Sequence, residues 1–398
     1  MSSFQECQEP YFTICARIKP PKNFKERVIF NNFRNDKQLY VSENKVNFMK
    51  DAYVEKRDYH FNKVYDIDYT NEDIFADIGI KITNGFLSGE SITCFLFGQT
   101  GSGKTHTMLG NDSTDGIAQM IFDRLIDETA KNDTSAYISC IQIYNRSLLD
   151  VINGNHAVKY FQSNNGYGMI KDCKTMRLNK NNRETILNAI LSNRHTGISS
   201  ANSTSSRSHL MIRIQMRNYE LVLMDMAGSE KASQSHNVGP NQMRENAYIN
   251  KGILILKECI RAVKSRKTYI PYKQHILTRL LSKIFTGQSR SYIMATVSSD
   301  VENVNDSINT LNYVSDMKSL KRNGSEQNIS RVPSKVIIKN ENKMNDIDDY
   351  FKEIGKSNKK REKLLEAFNA HDYDAFRIRM RELIRKEIVQ LQDLSNIV

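Results

Sequence analysis

Gly98-Gln99-Thr100-Gly101-Ser102-Gly103-Lys104-Thr105 is the stretch whose residue types and spacing could do the most chemistry. Its form, GxxxxGK[ST], is that of a P-loop. Glycines let backbone N–H groups curl around phosphate oxygens, Lys104 brings a point charge to the β- and γ-phosphates, and the Thr105 hydroxyl can ligate Mg²⁺. To be more than a glycine-rich turn, the stretch needs a strand behind it and a helix ahead. Ile92 to Phe97 is an uninterrupted apolar run of the buried-strand kind, and His106-Thr107-Met108 can open a helix.

A P-loop that drives work also needs a sensor for the γ-phosphate, because hydrolysis removes only that group. Two segments qualify. Asn202-Ser203-Thr204-Ser205-Ser206-Arg207-Ser208-His209 gathers hydroxyls and one arginine just ahead of an expected strand. Asp225-Met226-Ala227-Gly228-Ser229-Glu230 places an acid at the end of an apolar strand and a glycine three residues on, the D-x-x-G geometry of a second switch.

The elements that must hold these groups alternate. Tyr11 to Ala16 reads as a strand running into Arg17-Ile18-Lys19-Pro20-Pro21, where the prolines end it. Val28 to Phe61 predicts small strands and exposed loops, and Asn71 to Leu87 a helical face. Beyond the P-loop come a helix over Ile117–Ile126, a strand over Ala136–Tyr144, and a helix over Arg183–Asn193. Leu210–Arg217 alternates as a strand, turns near Asn218 and returns as the apolar run Leu221–Met224. Helices over Ile249–Val263 and Ile276–Phe285, a strand over Tyr292–Val297 and a helix over Ser307–Leu320 complete the pattern. Strands and helices alternating around a P-loop predict an α/β fold, a mixed central sheet sandwiched between helices on both faces. Residues 1–10 are expected to be unstructured and 11–322 to form the main domain. The polar stretch 323–357 reads as a linker, and 358–398 as a helical segment with a stripe of Phe376, Met380, Leu383, Ile384, Ile388, Leu391 and Leu394.

Composition narrows the partners. The 398 residues are 39% hydrophobic and 26% charged, ordinary for a globular protein, and no apolar run approaches the ~18 residues of a membrane span. With no signal-peptide pattern at the start, the expected setting is cytosolic or nuclear. The 6 cysteines form no CxxC pair, so reduced thiols are expected. A net charge of +12 and a pI near 9.2 favour an acidic partner. No Lys/Arg block interleaved with aromatics is present, which disfavours nucleic acid.

GQTGSGKTHTM, NSTSSRSH and DMAGSE, in this order and at these separations, resemble the P-loop, switch I and switch II of the kinesin motor domain. The resemblance extends over about residues 11 to 320. Arg17-Ile18-Lys19-Pro20 is similar to the RxRP strand end, Ile141 to Asn145 to EIYN, Ile249-Asn250-Lys251 to the INK of the relay helix, and Asn309 to Tyr313 to the last helix.

The resemblance implies ATP and Mg²⁺ as ligands and ATP hydrolysis as the activity. Arg17, Pro20 and His106 would frame the adenine, with Gln99, Thr100, Gly101, Ser102, Gly103, Lys104 and Thr105 around the phosphates. Thr105 and Ser206 would ligate Mg²⁺, and Asp225 would reach it through water. Arg207 and Glu230 would close the switches around the attacking water, with Gly228 reporting on the γ-phosphate and Asn202 completing the set. No strong general base is needed, since phosphoryl transfer is mostly positioning and charge stabilisation.

Lys257-Glu258-Cys259-Ile260-Arg261-Ala262 and Tyr53-Val54-Glu55-Lys56 are most similar to the kinesin-13 class, whose members depolymerise microtubules. The class has a Lys-Val-Asp loop tip where this chain offers Lys45-Val46-Asn47. In the family's PYRxSKLTRLLxDSL segment, His275, Ile276 and Lys283 here replace Ser, Lys and Asp. The resemblance implies tubulin as partner, with Lys257, Glu258, Cys259, Arg261, Lys273, Arg279, Lys45, Val46 and Asn47 as contacts. It implies a place on the microtubule cytoskeleton of the cytoplasm, the spindle included. A walking kinesin is the alternative within the family, and a nucleic-acid-dependent P-loop ATPase the alternative outside it. The C-terminal stripe is expected to bind a partner, pair with another chain or pack on the motor.

Overall fold

Ile92–Phe97 is buried at every position, as a strand is in the middle of a sheet covered on both faces. In the computed structural model the described residues are 12–319, apart from 24–26, 33–34, 47–51, 163–167, 196–203 and 230–239. The chain divides into two units, Met1–Lys335 and Val336–Val398, and the described residues all belong to the first. The expected N-terminal stretch 1–10, linker 323–357 and helical segment 358–398 therefore lie outside them.

The strand belongs to an 11-stranded sheet. Its spatial order is Gly168–Lys171, His156–Gln162, Ser147–Asp150, Tyr137–Tyr144, Ser208–Met216, Tyr219–Asp225, Ile92–Phe97, Arg290–Ser298, Phe12–Lys19, Lys63–Tyr65, with Met176–Arg177 pairing on Tyr137–Tyr144 off that path. Pairing is parallel from Tyr219–Asp225 to Lys63–Tyr65 and antiparallel on the other side, so the sheet is mixed. Side chains alternate between two cores. Cys94, Leu96, Leu221, Leu223, Tyr292 and Met294 face one, which the helices of Asn71–Leu87, Ile117–Lys131 and Arg183–His195 fill. Phe95, Phe97, Val222, Met224, Ile293 and Ala295 face the other, filled by Pro240–Lys264, Ile276–Leu280, Ser282–Phe285 and Val304–Ser319. Each fully buried Leu, Ile or Phe contributes roughly 1.5–3 kcal/mol, so this double burial holds the helices to the sheet.

Three features differ from the sequence expectation. The helix expected from Ile249 begins at Pro240, because its first turns are polar and carry no apolar period. The helix expected over Ile276–Phe285 breaks at Leu281, whose backbone leaves the helical region (φ −93, ψ 16). The short strands of the antiparallel edge, Ser147–Asp150, His156–Gln162 and Gly168–Lys171, have too little alternation to announce themselves. Between Val28 and Phe61 lies a separate three-stranded sheet of Ile29–Asn32, Asn35–Val46 and Ala52–His60. No helix among the described residues is long and apolar enough to cross a membrane.

Candidate nucleotide and switch site

The P-loop begins where its strand runs out of room. A Cβ on Gly98 would lie 2.2 Å from the Thr296 carbonyl oxygen of the neighbouring strand, so only glycine fits. Gly101 (φ 77) and Gly103 (φ 98) then take left-handed backbone, which lets the chain curl and enter the helix Lys104–Leu109. Lys104 is buried and its Nζ donates to the Gly98 and Gln99 carbonyls, each at 2.7 Å. Ser102 Oγ braces the loop, donating to the Gln99 carbonyl at 2.8 Å and lying 2.7 Å from Thr296 Oγ1. The Gln99 side chain points to the last helix, where its Oε1 accepts from Ser307 Oγ at 3.2 Å, so only its backbone serves the loop. Thr100 and Gly101 are exposed at the mouth.

Asp225 is registered beside Leu96, which sets its carboxylate at the loop. Thr105 Oγ1 donates to Asp225 Oδ2 at 2.6 Å. A hydroxyl and a carboxylate brought together at the foot of a phosphate cradle form the oxygen-rich donor set that suits Mg²⁺.

Arg17 reaches the P-loop helix from Phe12–Lys19, two strands away from the P-loop strand in the sheet. Its Nη1 donates to Asn71 Oδ1 at 2.5 Å and Thr107 Oγ1 at 2.6 Å, and burial lowers its pKa to about 10. Asn71, which sequence reasoning missed, is buried and donates to the carbonyls of His106 at 2.9 Å and Asp115 at 2.8 Å. Only its place at the start of the helical run could have flagged it. Lys19 Nζ donates to the Gly101 carbonyl at 2.9 Å. Partial burial, and then the Arg17 charge, push the His106 imidazole below its ordinary pKa, favouring the neutral ring. Pro20 is exposed at the end of its strand.

The second switch bonds to both the first switch and the loop. Ser206 and Arg207 end the short turn Thr204–Arg207. The Gly228 amide donates to the Ser206 carbonyl at 2.9 Å, and the Ser229 amide to the Gly98 carbonyl at 3.2 Å. Behind them the Ala227 amide donates to Nδ1 of buried His209 at 3.1 Å, which makes Nδ1 the accepting nitrogen. Asn202 and Glu230 lie outside the described residues, and with Glu230 the expected Arg207–Glu230 pair.

The expected tubulin contacts divide by direction. Cys259 is fully buried, which removes its side chain as a direct contact. Lys257 is half-buried with its Nζ 5.0 Å from the centre of the Tyr313 ring, so it faces the last helix more than a partner. Glu258 and Arg261 pair with each other at 3.3 Å on the outside. Lys273 and Arg279 are exposed, as are Lys251 and Leu254 (57%) on the helix Pro240–Lys264 that carries Lys257, which sequence reasoning passed over as contacts. Lys45 pairs with Glu55 at 2.5 Å and lies opposite Tyr53, with Val46 opposite Ala52 at the end of the ribbon. Asn47 lies outside the described residues.

A sheet of this order, with a P-loop and one switch segment following adjacent parallel strands and the other switch segment leading into the next, antiparallel strand, has counterparts among known proteins. Residues 17–320 match the family described as the kinesin motor domain. The chain belongs to the kinesin family. It is 31% identical over 297 residues to the kinesin-like protein KIF24 of Homo sapiens, a match that covers 71% of this chain and 22% of that protein. To KIF19 of Homo sapiens it is 32% identical over 288 residues, covering 67% and 29%. To diatom spindle kinesin-1 of Cylindrotheca fusiformis it is 29% identical over 321 residues, covering 77% and 50%. The chain thus spans half or less of the length of these kinesin relatives. Among solved structures, the Kar3-like motor domain of Ashbya gossypii superposes with a TM-score of 0.62 at 24% identity, covering 78% of this chain and all of that one. A KIF14 dimer bound to AMP-PNP and a microtubule gives 0.66 at 22%, covering 78% and 94%. These two likenesses concern the kinesin fold.

Proposed function

We propose that this chain hydrolyses ATP with Mg²⁺, that microtubules stimulate the turnover, and that the cycle removes tubulin from microtubule ends. The observation that carries the reading is the pair of switch amides, Gly228 on the Ser206 carbonyl and Ser229 on the Gly98 carbonyl. Through them the P-loop, switch I and switch II form one hydrogen-bonded set, and a γ-phosphate oxygen that accepts from Gly228 must compete with the Ser206 carbonyl. That competition is a physical means of sensing one phosphate.

Lys104, Gly98 to Gly103 and Thr105 hold the phosphates in this reading, and Arg17, Pro20 and His106 border the adenine. Thr105 and Ser206 ligate the metal, and Asp225 holds it through water. Bound Mg²⁺ supplies charge neutralisation at the phosphates. Arg207, Asn202, Gly228 and Glu230 position the attacking water, and the rate arises from that placement and from charge stabilisation.

Tubulin is the partner that suits a +12 chain in which Lys251, Lys273, Arg279 and Leu254 are exposed. The Lys257-Glu258-Cys259 similarity to kinesin-13 favours depolymerisation over walking, and it acts through helix packing, since Cys259 is buried. The site of action is the microtubule cytoskeleton of the cytoplasm, with the spindle as its specialised case. The segment 358–398 binds a partner, pairs with another chain or packs on the motor. Steady-state ATPase assays test the reading: microtubules should raise turnover at least ~10-fold, and duplex DNA should not. A rate indifferent to microtubules, or one raised by DNA, contradicts it.

A further inference from the structure

Asn71 joins three parts of the candidate nucleotide site, and its amide can face only one way. Its Oδ1 accepts from Arg17 Nη1 at 2.5 Å, while its Nδ2 donates to the His106 carbonyl at 2.9 Å and the Asp115 carbonyl at 2.8 Å. Turned over, the amide would set a donor against a guanidinium and an acceptor against two carbonyls. Those carbonyls bracket the end of the helix Lys104–Leu109 and the hairpin of Gly110–Asn111 and Thr114–Asp115 that follows it. Asn71 is 2% exposed, so solvent does not stand in for these bonds.

Arg17 depends on this partner. The acceptors its guanidinium reaches among the described residues are neutral: Asn71 Oδ1, Thr107 Oγ1 at 2.6 Å and the Tyr69 carbonyl at 3.3 Å. Burial lowers its pKa to about 10, with Glu72 opposing the shift, and the group stays charged at neutral pH. A buried cation held by neutral oxygens needs each of them. Local structure fixes Asn71 in place. Thr70 Oγ1 accepts from the Asp73 amide at 3.2 Å and Asp73 Oδ2 from the Thr70 amide at 3.0 Å, a reciprocal cap that starts the helical run at Asn71. Phe75–Gly79 then forms a π turn, in which the Ile80 amide donates to the Phe75 carbonyl. A Cβ on Gly79 would lie 2.2 Å from the Phe75 ring, so glycine makes the turn possible. The wider turn offsets Asn71 from the face on which Ile82 and Phe86 meet the core.

We propose that Asn71 is a positioning residue for the base of the nucleotide: it holds Arg17 and the end of the P-loop helix in one arrangement, without itself touching the nucleotide. The inference rests on the reading that Arg17 and His106 border the adenine.

Two measurements on the full chain test it: the KM for ATP, and the inhibition constant of Mg²⁺-tripolyphosphate, which presents phosphates without a base. Asn71→Leu, which keeps the size and removes all three bonds, should raise the KM for ATP about tenfold, the effect of losing one bond to a charged group. Its kcat should stay within about twofold of the wild type, and tripolyphosphate should inhibit both proteins equally. Asn71→Asp, which keeps the Arg17 acceptor and loses both donors, should give a KM between the two. An unchanged KM overturns the proposal, and so does a KM that rises together with the tripolyphosphate constant, since a merely structural role loosens the whole cradle. Should Asn71→Leu lose its cooperative melting transition, Asn71→Asp decides by the same two criteria. Arg17→Ala tests the underlying reading separately: an unchanged KM for ATP there means that the base does not lie against Arg17.

Discussion

His275 stands where the kinesin pattern has serine, and the neighbouring helix makes space for it. A Cβ on Gly252 would come within 2.6 Å of the imidazole, so the ring occupies the volume that a side chain there would take. The ring lies 4.4 Å from that of Tyr248, and its Nδ1 accepts from the Leu277 amide at 3.2 Å, capping the helix Ile276–Leu280. Burial, and then the Lys251 charge, lower its pKa to about 4, with Arg279 acting in the same direction. A histidine held neutral in the folded chain but protonated below about 6.5 when unfolded contributes stability above that pH. The contribution disappears as pH falls from 6.5 to 4, and amounts to roughly 3 kcal/mol. His275→Ser keeps a capping side chain, so its melting temperature should fall less over this window than that of the wild type; parallel slopes would contradict the assignment. The sequence revealed His275 as a departure from the family but not its burial, which depends on a glycine 23 positions away on another helix.

At the scale of elements, Lys283 shows why charge alone misleads. It replaces an acid of the kinesin pattern and reads in sequence as added positive surface. Its Nζ instead pairs with Glu220 at 3.1 Å, while Arg213 holds the same carboxylate at 2.6 Å. Burial opposes the Glu220 charge, and Arg213 and then Lys283 outweigh it, so the carboxyl stays below its usual range. The trio ties the hairpin of Ser208–Met216 and Tyr219–Asp225 to the helix Ser282–Phe285. Restoring the family's acid with Lys283→Asp sets a second carboxylate against a buried one and should cost about 1–3 kcal/mol in urea unfolding. An unchanged midpoint would show the trio to be inert. The unbroken apolar run Ile92–Phe97 and the amphipathic period of Ile117–Lys131 were legible because burial dictates both patterns. The polar start of Pro240–Lys264 was not, since it carries no apolar period and its buried Glu245 pairs with Arg207 of the switch turn at 3.5 Å.

Over the described residues as a whole, the sheet is the frame that joins the P-loop to the helices packed on its outer side. Phe97, at the end of the P-loop strand, stacks on Tyr313 of the last helix at 4.4 Å. The Tyr313 hydroxyl donates to the Ile253 carbonyl of Pro240–Lys264 at 2.8 Å, giving the nucleotide side a second link to that helix besides Arg207–Glu245. The motifs singled out the candidate site because phosphate chemistry tolerates few substitutions. The outer face was harder to read, because any solvated helix also carries Lys and Glu, and only the fold separates inward Lys257 from outward Lys251 and Leu254. The central claim is that ATP turnover is spent on taking microtubules apart. Incubating the protein with stabilised microtubules and ATP, followed by sedimentation, measures this directly. The account predicts tubulin released to the supernatant only with ATP; intact microtubules that instead glide over a surface coated with the protein would contradict it.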